Sequence, residues 1–132
     1  MANGTIAFDT LSTSGQIQGT AKSVDTDFIV SGSPKHWVNI DGDTPSARNS
    51  VNNASLTDNG SGNYTITRTS NFSAVNYCCQ GGGNSSASGD GRITALDEAT
   101  LSTSANEIFN RSDANGVQDD AHVNISFLGD LS

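Results

Sequence analysis

Apolar and polar residues alternate in short runs along this chain, and clusters of Gly, Asn, Asp, Ser and Pro separate the runs. Period-two alternation places successive side chains on opposite faces of a strand, so each run reads as a half-buried β-strand. The clearest run is 36–40, His-Trp-Val-Asn-Ile, which carries the chain's single Trp and reads as a strand laid on a core. Residues 54–58 and 63–68 flank Asn59-Gly60-Ser61-Gly62, whose Asn and Gly tolerate the positive φ of a tight reversal. A β-hairpin is expected there.

Other strands are expected at 4–8, 20–24, 27–30, 47–51, 72–79, 92–96, 107–111 and 122–128. In the last of these, Val123, Ile125 and Phe127 share one face. Residues 11–19 read as a loop or edge strand, and 31–34, 41–45, 97–104 and 112–116 as reversals. Residues 80–91 (QGGGNSSASGDG) read as a flexible Gly/Ser-rich loop. No stretch repeats at helical period for long enough to anchor a bundle. The expected fold is all-β: one domain over 1–132, an antiparallel β-sandwich or a barrel-like arrangement of short strands.

Charge narrows the partners. Six Lys and Arg stand against 14 Asp and Glu, a formal net charge of −8. Phosphate binding needs clustered cations, so a nucleic-acid partner is not expected, and an anionic membrane surface would repel this chain. No apolar run approaches the roughly 20 residues of a membrane-spanning helix. The N-terminus has neither a basic segment nor an apolar stretch, so no secretory signal is expected. Asn-x-Ser/Thr triplets then follow from the Asn, Ser and Thr content.

Candidate chemistry is thin. Cys78 and Cys79 are adjacent, so in a strand one points inward and one outward, and a bridge between them would need strained geometry. His36 and His122 lie in strand patterns outside any ligand-spacing motif. Asp25-Thr26-Asp27 and Asp41-Gly42-Asp43 begin like calcium loops but lack the remaining ligand ladder and the closing Glu. Gly81-Gly82-Gly83 lacks the Lys-Ser/Thr of a phosphate loop. Nothing assembles a nucleophile, base and oxyanion donor. A non-enzyme is expected, with no catalytic, cofactor-binding or metal-binding residues and no cofactor.

Two signatures carry a resemblance. One is K-x-W-V-N-[IF]-[DN]-G, present from Lys35 through Trp37, Val38, Asn39 and Ile40 to Gly42. The other is R-x-S-x-N-x-[AS]-S-[LI]-T-D-N-G-[ST]-G-x-Y-T, present from Arg48 to Thr65. Together with the lead-in over 6–35 and the closing VNISFLGDLS, they resemble a module frequent in tail-fibre and other virion proteins of marine and freshwater bacteriophages. His36 stands where that module usually has a small residue. The module usually ends a longer fibre, whereas this chain opens with Met1, so a free-standing piece is expected.

The resemblance implies a β-rich virion surface protein, assembled in the host cytoplasm, that forms homo-oligomers, most simply trimers, with other phage structural proteins. A tail-fibre or fibre-tip role is expected, with a capsid decoration or cement protein as the alternative. Contact with a host surface glycan or protein would fall on the loops 41–46, 81–91 and 112–119, with Tyr77 as the aromatic available for stacking on sugar.

Overall fold

The structure, a computed structural model, describes residues 32–84, 91–112 and 116–132. The strands expected at 4–8, 20–24 and 27–30 and the stretch 11–19 lie outside the described residues. Eight strands follow: β1 (His36–Asp41), β2 (Ser46–Val51), β3 (Asn53–Gly60), β4 (Asn63–Arg68), β5 (Cys78–Asn84), β6 (Arg92–Leu96), β7 (Ala105–Ser112) and β8 (His122–Leu128). They form two four-stranded antiparallel sheets, ordered β2-β1-β8-β5 and β3-β4-β7-β6. The sheets stack as a sandwich and do not close into a barrel, which settles the architecture left open by the sequence.

Alternation decides which residues face the core. In β1, His36, Val38 and Ile40 are buried while Trp37, Asn39 and Asp41 are not. Val123, Ile125 and Phe127 of β8 lie opposite them across the ladder. The second sheet contributes Tyr64 and Ile66 from β4 and Ile108 from β7, and Phe72 closes one end. Leu56, Tyr77, Cys79 and Leu96 pack around this centre. Burying such side chains supplies about 25 cal/mol per Å² of apolar surface removed from water.

The chain changes sheets between β2 and β3 through one residue, Asn52, at φ 58°. Asn tolerates this left-handed conformation, and its side chain locks the corner. Asn52 Nδ2 donates to the Ser70 carbonyl at 2.9 Å, and Oδ1 accepts from the Ser70 N–H at 2.6 Å. The hairpin turn is tighter than expected. β3 extends to Gly60, leaving Ser61 and Gly62 as the reversal, with both glycines at positive φ.

Two expected elements differ. The strand expected at 72–79 begins only at Cys78; Phe72 forms an isolated bridge to Leu131, and 73–77 is irregular. Phe72 and Tyr77 instead wrap a buried guanidinium, which holds that stretch away from any ladder. Residues 80–84 belong to β5, pairing with β8 without a register break from Cys78↔Leu128 to Asn84↔His122. They are not a slack loop. A Cβ on Gly81 would lie 2.8 Å from Thr94 Cβ, and one on Gly83 would lie 2.7 Å from Asn110 Oδ1. Glycine is what lets β5 approach the opposite sheet this closely. The 97–104 reversal contains a 3-10 turn, Glu98–Thr100, capped by Asp97.

Each end of the sandwich carries a buried polar cluster. At one end the Arg68 guanidinium sits 4.6, 5.0 and 4.8 Å from the ring centres of Phe72, Tyr77 and Phe127. It also donates to the carbonyls of Ser102 and Thr103, both at 3.3 Å, and to Asn106 Oδ1. At the other end Asp120 accepts from Arg92 at 2.7 Å and from Asn110 Nδ2 at 2.6 Å. Its neighbour Asp119 accepts from the Gly62 N–H and the Tyr64 hydroxyl, both at 2.7 Å. Burial, then the Asp119 hydrogen bond, pushes the Tyr64 phenol well above its ordinary range, so it stays a donor.

His36 borders the Arg68 end. Its ring stacks on Phe127, centroids 5.0 Å apart and planes 10° from parallel. Nε2 lies 3.4 Å from Asn53 Oδ1, and Nδ1 has no partner among the described residues. Burial first, and the positive Arg68 second, lower the imidazole pKa from 6.5 to about 4, with the Asn53 contact opposing. The unfolded chain therefore takes up this proton before the folded one. Stability is full above pH 6.5 and falls as pH drops toward about 4, by about 3 kcal/mol from this group. Urea unfolding of His36→Phe, which keeps a ring on Phe127, is expected to lack that part of the loss. The wild-type minus variant difference at pH 7 then moves by about 3 kcal/mol in the variant's favour at pH 4.

Candidate functional site

The outward positions of the β2-β1-β8-β5 sheet form ordered rows of mostly polar side chains. Register places Val51, Trp37, Ser126 and Gln80 side by side in one row across the four strands. The next row is Asn49, Asn39, Asn124 and Gly82. Directly opposed side chains on neighbouring strands lie about 4.5–5.5 Å apart, so each row is a contiguous strip. Trp37 is outward because Val38 and Ile40 hold the inward phase of β1. Lacking a side chain, Gly82 leaves a gap at the end of the second row, and a Cβ there would meet nothing within 4 Å.

The result is an open groove of about 380 Å³ bordered by Trp37, Gln80, Gly82, Asn124 and Ser126. Asn39 Nδ2 donates to Asn124 Oδ1, fixing both amides. In that pair the Asn39 carbonyl oxygen and the Asn124 amide N–H₂ are left without a partner among the described residues. Ser126 Oγ donates to the Gln80 carbonyl at 3.4 Å. Among the described residues, neither the Trp37 indole N–H nor the Gln80 carboxamide has a hydrogen-bond partner. Among the described residues, none of the side chains bordering the groove carries a charge.

The residues singled out in the sequence are not brought together into a reactive centre. His36 is in the core, whereas His122 lies at the far end of β8 opposite Asn84. Asp41 is committed to Arg48 at 2.5 Å and to the Thr44 N–H at 3.2 Å. Desolvation is the largest single influence and raises its pKa, but the Thr44, Arg48 and Asp43 contacts together outweigh it and hold the carboxyl below its ordinary value. Asp25 and Asp27 lie outside the described residues. No group of three or more His, Cys, Asp or Glu able to hold a metal occurs among the described residues.

Cys78 is exposed and Cys79 packs against the core, as opposite faces require, and both are free thiols. Burial, then the neighbouring Cys78, raises the Cys79 thiol pKa. The tripeptide Gly81-Gly82-Gly83 is part of a strand and not a phosphate cradle.

Two expectations about ligand contact change. Tyr77 stacks on Phe72 at 4.9 Å, and its hydroxyl donates to the Ser102 carbonyl at 3.1 Å and accepts from Asn106. Closing the Arg68 cage occupies its ring, so it does not serve as a stacking platform. Of the stretches 81–91 and 112–119, residues 85–90 and 113–115 lie outside the described residues, and parts of the remainder are packed. Residues 81–84 are ladder, and Gln118 and Asp119 pack on the β3–β4 turn. A side chain at Gly62 would lie 2.4 Å from the Gln118 nitrogen, so that closure requires glycine. The loop 41–46 is largely exposed, as expected.

Trp37 and the groove were missed in the sequence. Two signals were present: the shared phase of Val38 and Ile40 sends Trp37 outward, and Gly81 and Gly83 lie two apart, with Gly82 between them facing the other way. Comparison with family models, with curated protein sequences and with solved structures finds no match.

The two glycine environments give a direct test of β5. Gly81→Ala is expected to cost about 1–3 kcal/mol, since its methyl would meet Thr94 and two backbone oxygens within 3 Å. Gly82→Ala is expected to change stability by less than about 0.5 kcal/mol. Urea unfolding midpoints of the two variants check the contrast. A loop over these residues would tolerate both.

Proposed function

We propose that this chain is a non-enzymatic structural protein of the bacteriophage virion surface, a tail-fibre or fibre-tip component acting as a homo-oligomer, most simply a trimer. The observation that carries the proposal is the pair of signatures between Lys35 and Thr65. Their residues map onto β1, β2 and the β3–β4 hairpin as one unit. Trp37 and Asn39 take the outer face, Arg48 holds Asp41 across the β1–β2 turn, and Gly62 and Tyr64 anchor the hairpin to Asp119.

The fold is compatible with such a role. Both sheets end in strands, β2 and β3, whose side chains are mostly solvent-facing in the single chain. Edge strands of this kind are stabilised by meeting copies of themselves or neighbouring proteins. The polar groups buried in the sandwich are used for packing, and no arrangement of nucleophile and base is seen among the described residues.

Two measurements test the reading. Light scattering of the purified protein is expected to give three times the 13.6 kDa chain mass. Mass-spectrometric counting in purified particles is expected to find a few dozen copies or fewer. Hundreds of copies would favour capsid decoration over a tail position. Absence from particles would overturn the virion assignment altogether.

A further inference from the structure

On this acidic molecule the groove beside Trp37 is bordered, among the described residues, by uncharged and amide-rich side chains and is floored by a glycine. We infer that it is a binding site for a neutral saccharide on the sheet face, and not on the loops. This deepens the virion-surface reading and rests on it only for where the saccharide would be met.

Three features select that class of ligand. A sugar ring has an apolar C–H face that stacks on an indole, and Trp37 presents the chain's one indole on the outer surface. Sugar hydroxyls both donate and accept, and they are matched by groups that do both or are set in complementary pairs. Gln80 offers a whole carboxamide, and the hydrogen-bonded Asn39–Asn124 pair leaves one acceptor and one donor unpaired among the described residues, with Asn124 at the groove itself. A polar surface held in place by the protein's own hydrogen bonds loses little freedom on binding.

Charge removes the competitors. No cation among the described residues borders the groove and the chain carries −8, so sulfated, sialylated or phosphorylated ligands are repelled. A protein partner would call for a more apolar centre than one indole among amides. Gly82 supplies the space: with any side chain there, the strip between Gln80 and Asn124 would be filled, although nothing in the fold forbids one. Glycines 81 and 83 are required by packing against the other sheet. Gly82 is not, and its groove is the one consequence that packing leaves unexplained.

Because Trp37 is the only tryptophan, its fluorescence reports on the groove alone. The purified full chain is titrated with maltohexaose, cellohexaose, mannohexaose and N-acetylchitohexaose, and with 3′-sialyllactose as the anionic probe. At least one uncharged hexasaccharide is expected to change Trp37 emission saturably, with a Kd of about 1 mM or tighter, and sialyllactose is not. By calorimetry, Gly82→Val and Trp37→Ala are each expected to weaken that binding at least about tenfold. The Gly82→Val circular dichroism spectrum should be unchanged, which separates loss of the groove from loss of the fold.

Silence with all four uncharged sugars, preference for sialyllactose, or binding that survives Gly82→Val would overturn the inference. Particle counting is independent of this titration. Saccharide binding by a chain absent from virions would keep the groove and reject the virion role, and a chain present in virions with a silent Trp37 would do the reverse.

Discussion

One buried positive charge organises one end of this sandwich. Arg68 is only 5 % exposed, and no carboxylate pairs with it among the described residues. An uncompensated ion in such a place costs several kcal/mol, so its surroundings must supply what water would. Three aromatic faces, two carbonyls and the Asn106 amide do so. The oxygen acceptors come from β7 and the segment before it, and the rings from β8 and the stretch between β4 and β5. Satisfying one guanidinium therefore draws four parts of the chain together. The same charge helps exclude a proton from His36, which shares the Phe127 ring.

Because the two ends are fixed by Arg68 and by the Asp120 cluster, the centre of the sandwich needs few aliphatic residues. Nine apolar side chains are buried among the described residues, from a sequence only 33% hydrophobic. Such a small core leaves the outward faces free of any structural duty. On the β2-β1-β8-β5 face that freedom is used by a single indole, a fixed amide pair and a missing side chain. On the opposite face Phe109 lies outward under Arg111, whose guanidinium is 5.0 Å from its ring centre, which screens that aromatic from solvent. The two faces of the sandwich are thus chemically distinct: one covers its aromatic with a guanidinium, and the other presents Trp37 beside polar groups that are unpaired among the described residues.

The all-β class and most strand positions could be read from alternation, since period-two patterning depends on local sequence alone. The inward face of β8 and the split between Cys78 and Cys79 followed from the same rule. Tertiary demands were not legible. Nothing local to Phe72 or Tyr77 says that they leave the ladder to enclose an arginine. The run Gln-Gly-Gly-Gly-Asn has the composition of a loop, and only the approach of Thr94 and Asn110 from the other sheet explains its being a strand. Trp37 was legible in principle, but a lone tryptophan in an apolar strand suggests the core until the phase of its neighbours is weighed.

The most direct test of this account keeps the charge at position 68 and removes its shape. Lys carries a compact ammonium that can neither lie flat against three rings nor reach three oxygens at once. Urea unfolding of Arg68→Lys at pH 7 is expected to show a loss of about 2–4 kcal/mol, with circular dichroism still reporting strands. A variant as stable as the wild type would show that the aromatic cage does not hold the sandwich together, and would contradict the account.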